Sequence, residues 1–299
     1  MEKREDARPA RRRRPAVIGA VVGALIIGAV GWVSFAGPSS EEAAPPTDAI
    51  GRAADATVPV PEPRALSVEQ IAALPPAVHD AVIPGLLGYE ETSTAGITHA
   101  YTASSDVPVY GSNRRTPVAR LPMSNFLGDP TVIVPVQIAQ DWALVLTPAR
   151  QATPSSRGGA APAQTAGWVP VEMLREGAPL DATVRISVSN ETLTVTRDGT
   201  STTYAIGVGS PETPTPTGTT GYIQARYEDP GQAQFAIQLT TLHSAAVDEP
   251  FGGDDGGLIG VHYNATSTGA VSHGCIRLPY DALVAVDRLP LGTPVVIEE

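Results

Sequence analysis

Ala182-Thr-Val-Arg-Ile-Ser-Val-Ser189 and Glu191-Thr-Leu-Thr-Val-Thr-Arg197 alternate apolar with polar side chains. That two-residue period is the pattern of strands buried on one face only. Asn190 separates the two runs and Asp198-Gly199 follows the second, so turns are expected at both places. Thr202-Thr-Tyr-Ala-Ile-Gly-Val-Gly209 continues as a third strand. The period changes near the C-terminus. Pro279-Tyr280-Asp281-Ala-Leu-Val-Ala-Val-Asp-Arg288 places Ala282, Leu283, Val286 and Leu289 on one helical face. Gly292-Thr-Pro-Val-Val-Ile297 reads as a closing strand. Residues 181–299 are therefore expected to form a β-sandwich with one packed helix, and the protein as a whole is expected to be mainly β.

Working outward, residues 93–176 hold further short strands between turns: VPVYG, TVIVPVQIA, DWALVLT and GWVPVEML. Their spacing suggests a small barrel or sandwich. The order Val107-Pro-Val-Tyr110, then Asp141-Trp142, then Gly167-Trp168 resembles bacterial SH3-like domains. Trp142 and Trp168 read more readily as packing residues than as ligand-stacking ones. Gln151–Thr165 reads as a flexible insert. Residues 37–92 are rich in Pro, Ala, Ser and acids and read as an extended tether. One short helix is expected there, at Ser67–Leu74, because Ser67 and Gln70 have capping-box spacing.

Ala16–Phe35 is a run of twenty residues without charge, and a helix of that length spans about 30 Å, the thickness of bilayer hydrocarbon. Four arginines, Arg11 to Arg14, precede it, and the next basic residue is Arg52. The charge bias gives a cytoplasmic tail at 1–15, a transmembrane anchor at 16–36 and an extracytoplasmic body. A cleaved signal peptide ending at Ser34-Phe35-Ala36 is the competing reading, and it also exports the body. The expected location is thus the plasma membrane, single-pass, with the C-terminal part on the cell-wall side.

Composition excludes several classes. Apolar residues make up 42% and charged residues 17%, which argues against a wholly disordered chain. The net charge of −11 divides into +4 over residues 1–14 and −15 over the rest, so nucleic acid is a poor partner for the body. A single cysteine excludes an internal disulfide and any multi-thiolate zinc site.

That cysteine, Cys275, lies in Val271-Ser272-His273-Gly274-Cys275-Ile276-Arg277-Leu278. A lone thiol in an exported chain reads either as a small buried hydrophobe or as a nucleophile. His273 lies two residues upstream, and in extended backbone both side chains would share one face. Gly274 has no Cβ to keep a substrate carbonyl from the backbone amides. A neighbouring imidazolium would lower the thiol pKa from its ordinary value of about 8.5. His262, thirteen residues upstream, is a second imidazole that would return to the site across a turn-rich loop. The residues alone leave a His/His/Cys catalytic site, structural histidines, or a metal held by His262, His273 and Cys275.

Ile259-Gly-Val-His262 followed by Ser272-His-Gly-Cys-Ile-Arg-Leu278 resembles the catalytic domain of the L,D-transpeptidases, the YkuD family. Thr215-Pro-Thr-Gly218, Phe251-Gly-Gly-Asp254 and Gly292-Thr-Pro-Val-Val-Ile297 strengthen the likeness, which covers about 181–299. The resemblance implies a peptidoglycan cross-linking enzyme acting on stem peptides as donor and acceptor, with no metal or cofactor. By that likeness Cys275 attacks the carbonyl before the terminal D-Ala of a tetrapeptide stem, forming a thioester. An amine of a second stem then takes the acyl group, giving a 3→3 cross-link. His262 would be the general base. The amides of Gly274 and Cys275 would form the oxyanion hole, with His273 positioning the thiolate or lining that hole. Arg277, Ser272 and Tyr263 are expected at the substrate, Arg277 either on a stem carboxylate or bracing the loop. The nine-residue loop from His262 to Ser272 is shorter than the family's usual one, which places a question on the reach of His262. His243 reads as a loop residue near the site. A cysteine-dependent carboxypeptidase or hydrolase of the same stems, and a non-catalytic wall-binding protein, are the alternatives.

Overall fold

The computed structural model describes residues 60–230, 235–248 and 254–299. The expected tail and anchor lie outside the described residues, as do residues 37–59 of the tether and Phe251–Gly253 of the family-like loop. Among the described residues no helix is long and apolar enough to cross a membrane.

The alternating segments form the strands Ala182–Ser187 and Thr192–Arg197, paired antiparallel, and Thr200–Ala205 adds to the second. Val184, Ile186, Leu193 and Val195, the apolar half of the alternation, are buried. The hairpin opens a ten-stranded mixed sheet. From Ala182–Ser187 the order runs through Pro294–Glu298, Thr219–Tyr227, Ile237–His243, Leu258–Tyr263 and Ile276–Leu278 to Gly207–Gly209 and Gly269–Ser272. Ile186 and Leu193 at one end share a core with Val261 and Ile276 near the other, so the sheet curls on itself. Tyr280–Asp287 is the one α-helix among the described residues here. Ala282, Leu283 and Val286 are buried, with Leu289 just beyond its end. Full burial of such a Leu or Val side chain is worth about 1.5–3 kcal/mol. Pro279 suits the helix start because it has no N–H to leave unpaired, and Asp281 places negative charge in the first turn.

The preceding residues build a six-stranded antiparallel sheet. Its order is Pro117–Leu121, Val107–Tyr110, Thr165–Pro170, Trp142–Thr147 and Pro135–Ala139, with Leu87–Gly88 beside Thr165–Pro170. The capping box forms: Ser67 caps Val68–Ala72, with Ser67 Oγ accepting from the Gln70 amide and Gln70 returning the bond.

Three sequence boundaries need correction. The expected tether does not run to residue 92, because Ala77, Ile83, Leu86 and Tyr89 are core residues of this sheet. The Ala77 amide donates to Arg120 O at 2.7 Å and the Ile83 amide to Arg150 O at 2.8 Å. Isolated apolar residues fixed by long-range backbone bonds carry no period, so composition alone reads as linker. The boundary at 176 cuts the strand Arg175–Pro179, which pairs with His99–Thr102. The insert 151–165 is not a free loop. Ser155 donates from both its amide and its hydroxyl to the Asp255 carboxylate, and the Ala161 amide bonds Ala245 O at 3.0 Å.

Those bonds belong to a seam between the two sheets. Tyr222 of the curled sheet packs with Tyr89, Ile97, Val134 and Leu146, and its hydroxyl donates to Val132 O at 2.8 Å. The Arg150 guanidinium is buried at the same seam and donates to the carbonyls of Ser244, Gly256 and Gly257.

Candidate active site

Cys275 sits immediately before the strand Ile276–Leu278, which runs parallel to Leu258–Tyr263 with Val261 opposite Ile276 and His262 opposite Arg277. This register brings the thiol to the strand that carries the histidine. The Gly260 amide donates to Cys275 Sγ at 3.4 Å. A Cβ placed on Gly260 would lie 3.9 Å from Sγ, so the sulfur lies over the side-chain face of Gly260. His262, two residues on in the same strand, projects from that same face. The short loop therefore does not prevent His262 from reaching the thiol's side of the sheet. The strand pairing, not the loop, sets the approach.

His262 Nδ1 lies 3.0 Å from the Tyr263 carbonyl. A carbonyl only accepts, so Nδ1 carries the proton and Nε2 is left as the acceptor. Burial holds the His262 pKa below the ordinary imidazole range, and the Arg277 charge adds to that; the Tyr263 bond opposes them. Burial likewise raises the Cys275 thiol above its ordinary range, against the opposing pull of the Gly260 amide and the Arg277 charge. Both shifts favour uncharged partners. Burial thus favours a neutral thiol and a neutral imidazole over the thiolate–imidazolium pair expected from the sequence. The sign is testable. Alkylation of Cys275 by iodoacetamide should rise with pH along a curve displaced to the alkaline side of a free thiol. An inflection below that of free cysteine would overturn the neutral pair.

The turn ahead of Cys275 is not extended, which removes the shared-face argument for His273. Gly274 adopts φ +93°, a left-handed conformation suited to glycine, and a Cβ there would come within 3.1 Å of Ile259 Cδ1. His273 is exposed while Cys275 is half-buried. Ser272 is also corrected. It is buried at 1% exposure, and its hydroxyl donates to the Cys275 carbonyl at 2.5 Å, so it braces the turn from inside and does not meet substrate. Two threonines do the same from the opposite side. Thr215 Oγ1 donates to Gly274 O at 2.9 Å while accepting from the Gly209 amide, and Thr213 Oγ1 donates to Ser272 O at 3.2 Å. The Thr-Pro-x-Gly segment was the available signal, though nothing in its spacing assigns that brace.

Arg277 is half-buried, and its Nε has no hydrogen-bond partner among the described residues. The Tyr263 ring stacks edge-on against Phe235 at 5.4 Å, and Phe235 also meets Tyr280 at 5.3 Å. His243 is a strand-end residue and not a loop residue. It is 2% exposed, with Nε2 donating to His79 O at 2.8 Å. Burial, with the Arg150 charge second, pushes its pKa down to about 3. It belongs to the seam. Among the described residues no three His, Cys, Asp or Glu side chains converge as a metal site would require.

A cysteine just ahead of one strand and a tautomer-fixed histidine on its parallel neighbour are groups that can carry out acyl transfer through sulfur. Residues 181–297 match the family model described as the L,D-transpeptidase catalytic domain, YkuD. Among solved structures, the Ldtfm–avibactam carbamoyl enzyme is similar at 19% identity and a TM-score of 0.30. That match covers 44% of this chain and 55% of the other, so this chain spans about half of that protein's length. An L,D-transpeptidase from Mycobacterium smegmatis is similar at 18% identity, covering 53% of this chain and 91% of the other, with a TM-score of 0.31. One from Mycobacterium tuberculosis H37Rv is similar at 17% identity, covering 56% and 90%, with a TM-score of 0.33. A search of curated proteins returns no match to this sequence.

Proposed function

We propose that this protein is a peptidoglycan L,D-transpeptidase held by its N-terminal segment at the plasma membrane, with an SH3-like module ahead of the catalytic domain. One observation carries the reading: Cys275 Sγ lies over the strand face from which His262 projects, and the Tyr263 carbonyl leaves Nε2 of that histidine free to take a proton. In the first half-reaction the thiol proton passes to His262 Nε2 as sulfur bonds to the carbonyl carbon ahead of the donor's terminal D-Ala. The C–N bond breaks, the imidazolium returns its proton to the leaving amine, and a thioester remains. In the second, an acceptor amine attacks the thioester and gives its proton to Nε2. The thiolate leaves and recovers that proton. The neutral resting pair suits this sequence, since charge develops only as the bond forms.

The other site residues take roles consistent with their places. The Gly274 and Cys275 amides hold the oxyanion, and losing one such donor typically costs about 2.7–4 kcal/mol. His273 lines the entrance from the exposed side of the turn. The Arg277 guanidinium, charged beside both reacting groups and with Nε unpaired, meets a stem carboxylate or carbonyl. Tyr263 contributes an aromatic wall with Phe235.

Incubation with a tetrapeptide stem should release D-Ala and add the tripeptide acyl mass to Cys275, and an added acceptor stem should yield the cross-linked dimer. Acyl-enzyme with tripeptide as the sole product in the presence of acceptor would replace transfer by hydrolysis. No adduct and no D-Ala release would leave only a wall-binding role.

A further inference from the structure

The Thr215 hydroxyl is the middle member of a chain of three groups. It accepts from the Gly209 amide at 2.8 Å and donates to the Gly274 carbonyl at 2.9 Å, and Thr215 is buried at 3% exposure. Its segment is closely fitted between two glycines. A Cβ on Gly209 would lie 2.4 Å from both Thr213 O and the Thr215 amide nitrogen, so only glycine admits the segment there. On the other side, Pro214 O lies 3.5 Å from where a Cβ on Gly274 would stand.

A trans peptide unit is planar, and its C=O and N–H point in opposite directions. Whatever holds the Gly274 carbonyl therefore sets the direction of the Cys275 amide. Gly274 O is drawn toward buried Thr215, and the Cys275 N–H is aimed away from it. The planes on either side are held as well. Ser272 O accepts from Thr213 Oγ1 at 3.2 Å and from the Ser210 amide at 2.9 Å, and Cys275 O accepts from the Ser272 hydroxyl at 2.5 Å. The bond from Thr215 does more than aim. A carbonyl that accepts a hydrogen bond polarises its own peptide unit and strengthens the N–H at the other end, and the Gly209 amide polarises the hydroxyl in turn.

We infer that Thr215 is a positioning residue for acyl transfer: its hydroxyl, held by the Gly209 amide, aims and strengthens the Cys275 N–H that receives the oxyanion. This rests on the acyl-transfer reading of Cys275. The sulfur itself touches the Gly260 amide and the Leu258 carbonyl, not Thr215. The two reactions of that sulfur therefore separate. Attack on a stem carbonyl places negative charge on oxygen, whereas displacement of iodide from iodoacetamide places none there.

Thr215→Val removes the hydroxyl at nearly constant shape. It should lower kcat and kcat/KM for D-Ala release from a tetrapeptide stem together, by about 10²–10³-fold, with KM little changed. Alkylation of Cys275 by iodoacetamide at the same pH should stay within about twofold of the unmodified protein. Thr213→Val should cost at least about tenfold less than Thr215→Val, because Ser272 O keeps the Ser210 amide. Thr215→Ser restores a hydroxyl and should recover turnover to within about tenfold; it carries the test alone if the valine variant does not fold. Parallel loss of turnover and alkylation would mean a collapsed turn and would overturn the inference. So would Thr215→Val turnover within about threefold of the unmodified protein, or a serine variant as poor as the valine one. If the unmodified protein releases no D-Ala, the acyl-transfer reading fails and this inference falls with it.

Discussion

Cys275→Ala is expected to reduce turnover of a stem peptide to background, a loss of about 10⁴-fold or more, as removal of a catalytic nucleophile does elsewhere. The loss should be chemical and not structural. The Cys275 side chain makes only long contacts, 3.4 Å from the Gly260 amide and 3.9 Å from the Leu258 carbonyl. Alanine at a half-buried position of this kind costs on the order of 1 kcal/mol, too little to unfold the sheet. His262→Ala should cost less, about 10²–10⁴-fold, because the sulfur stays in place and loses only its proton acceptor. The acid limb of kcat/KM should then be absent in His262→Ala. In the unmodified protein it should lie below the ordinary imidazole range, since burial lowers the His262 pKa. Residual turnover within tenfold of the unmodified enzyme in Cys275→Ala would remove the thiol from the chemistry.

The distribution of what was legible follows the range of the interactions. Strands 182–187 and 192–197 and the helix 280–287 declare themselves because side-chain period is a local property, and the core then uses that face. The Ser-His-Gly-Cys run singles out Cys275, but its neighbours carry less local signal. Ser272 is a small polar residue next to a reactive cysteine and so reads as exposed. The fold instead buries it and satisfies its hydroxyl with the Cys275 carbonyl. His243 is held uncharged by burial, with the Arg150 charge second, and its N–H is satisfied by the carbonyl of His79, far away in sequence. Insert 151–165 has no apolar period because polar bonds hold it, including Ser155 to Asp255. Polar anchors of that separation leave no local trace in a sequence.

The same seam predicts the second large effect. Arg150→Ala is expected to destabilise the protein by about 3 kcal/mol, because it removes a buried guanidinium and leaves the carbonyls of Ser244 and Gly256 without their donor. At roughly 2–4 °C per kcal/mol for a domain of this size, the melting midpoint should fall by roughly 6–12 °C. Arg150→Lys keeps the charge but not the planar fork, so it should recover only part of the loss. The pH dependence separates this from simple loosening. His243 is depressed to about 3 in the folded protein, so between that value and the ordinary imidazole range the unfolded chain binds the extra proton. Stability must then fall as pH drops through that window. Arg150 contributes to the depression, so Arg150→Ala should flatten the acid slope while lowering stability at neutral pH. A variant melting within about 1 °C of the unmodified protein, with the acid slope intact, would mean that water replaces the guanidinium at those carbonyls. The consequence reaches the site, because Gly257 is followed directly by the strand whose Leu258 and Gly260 contact the sulfur and which carries His262. The N-terminal sheet thus grips, through one buried cation, the approach to the strand that carries His262.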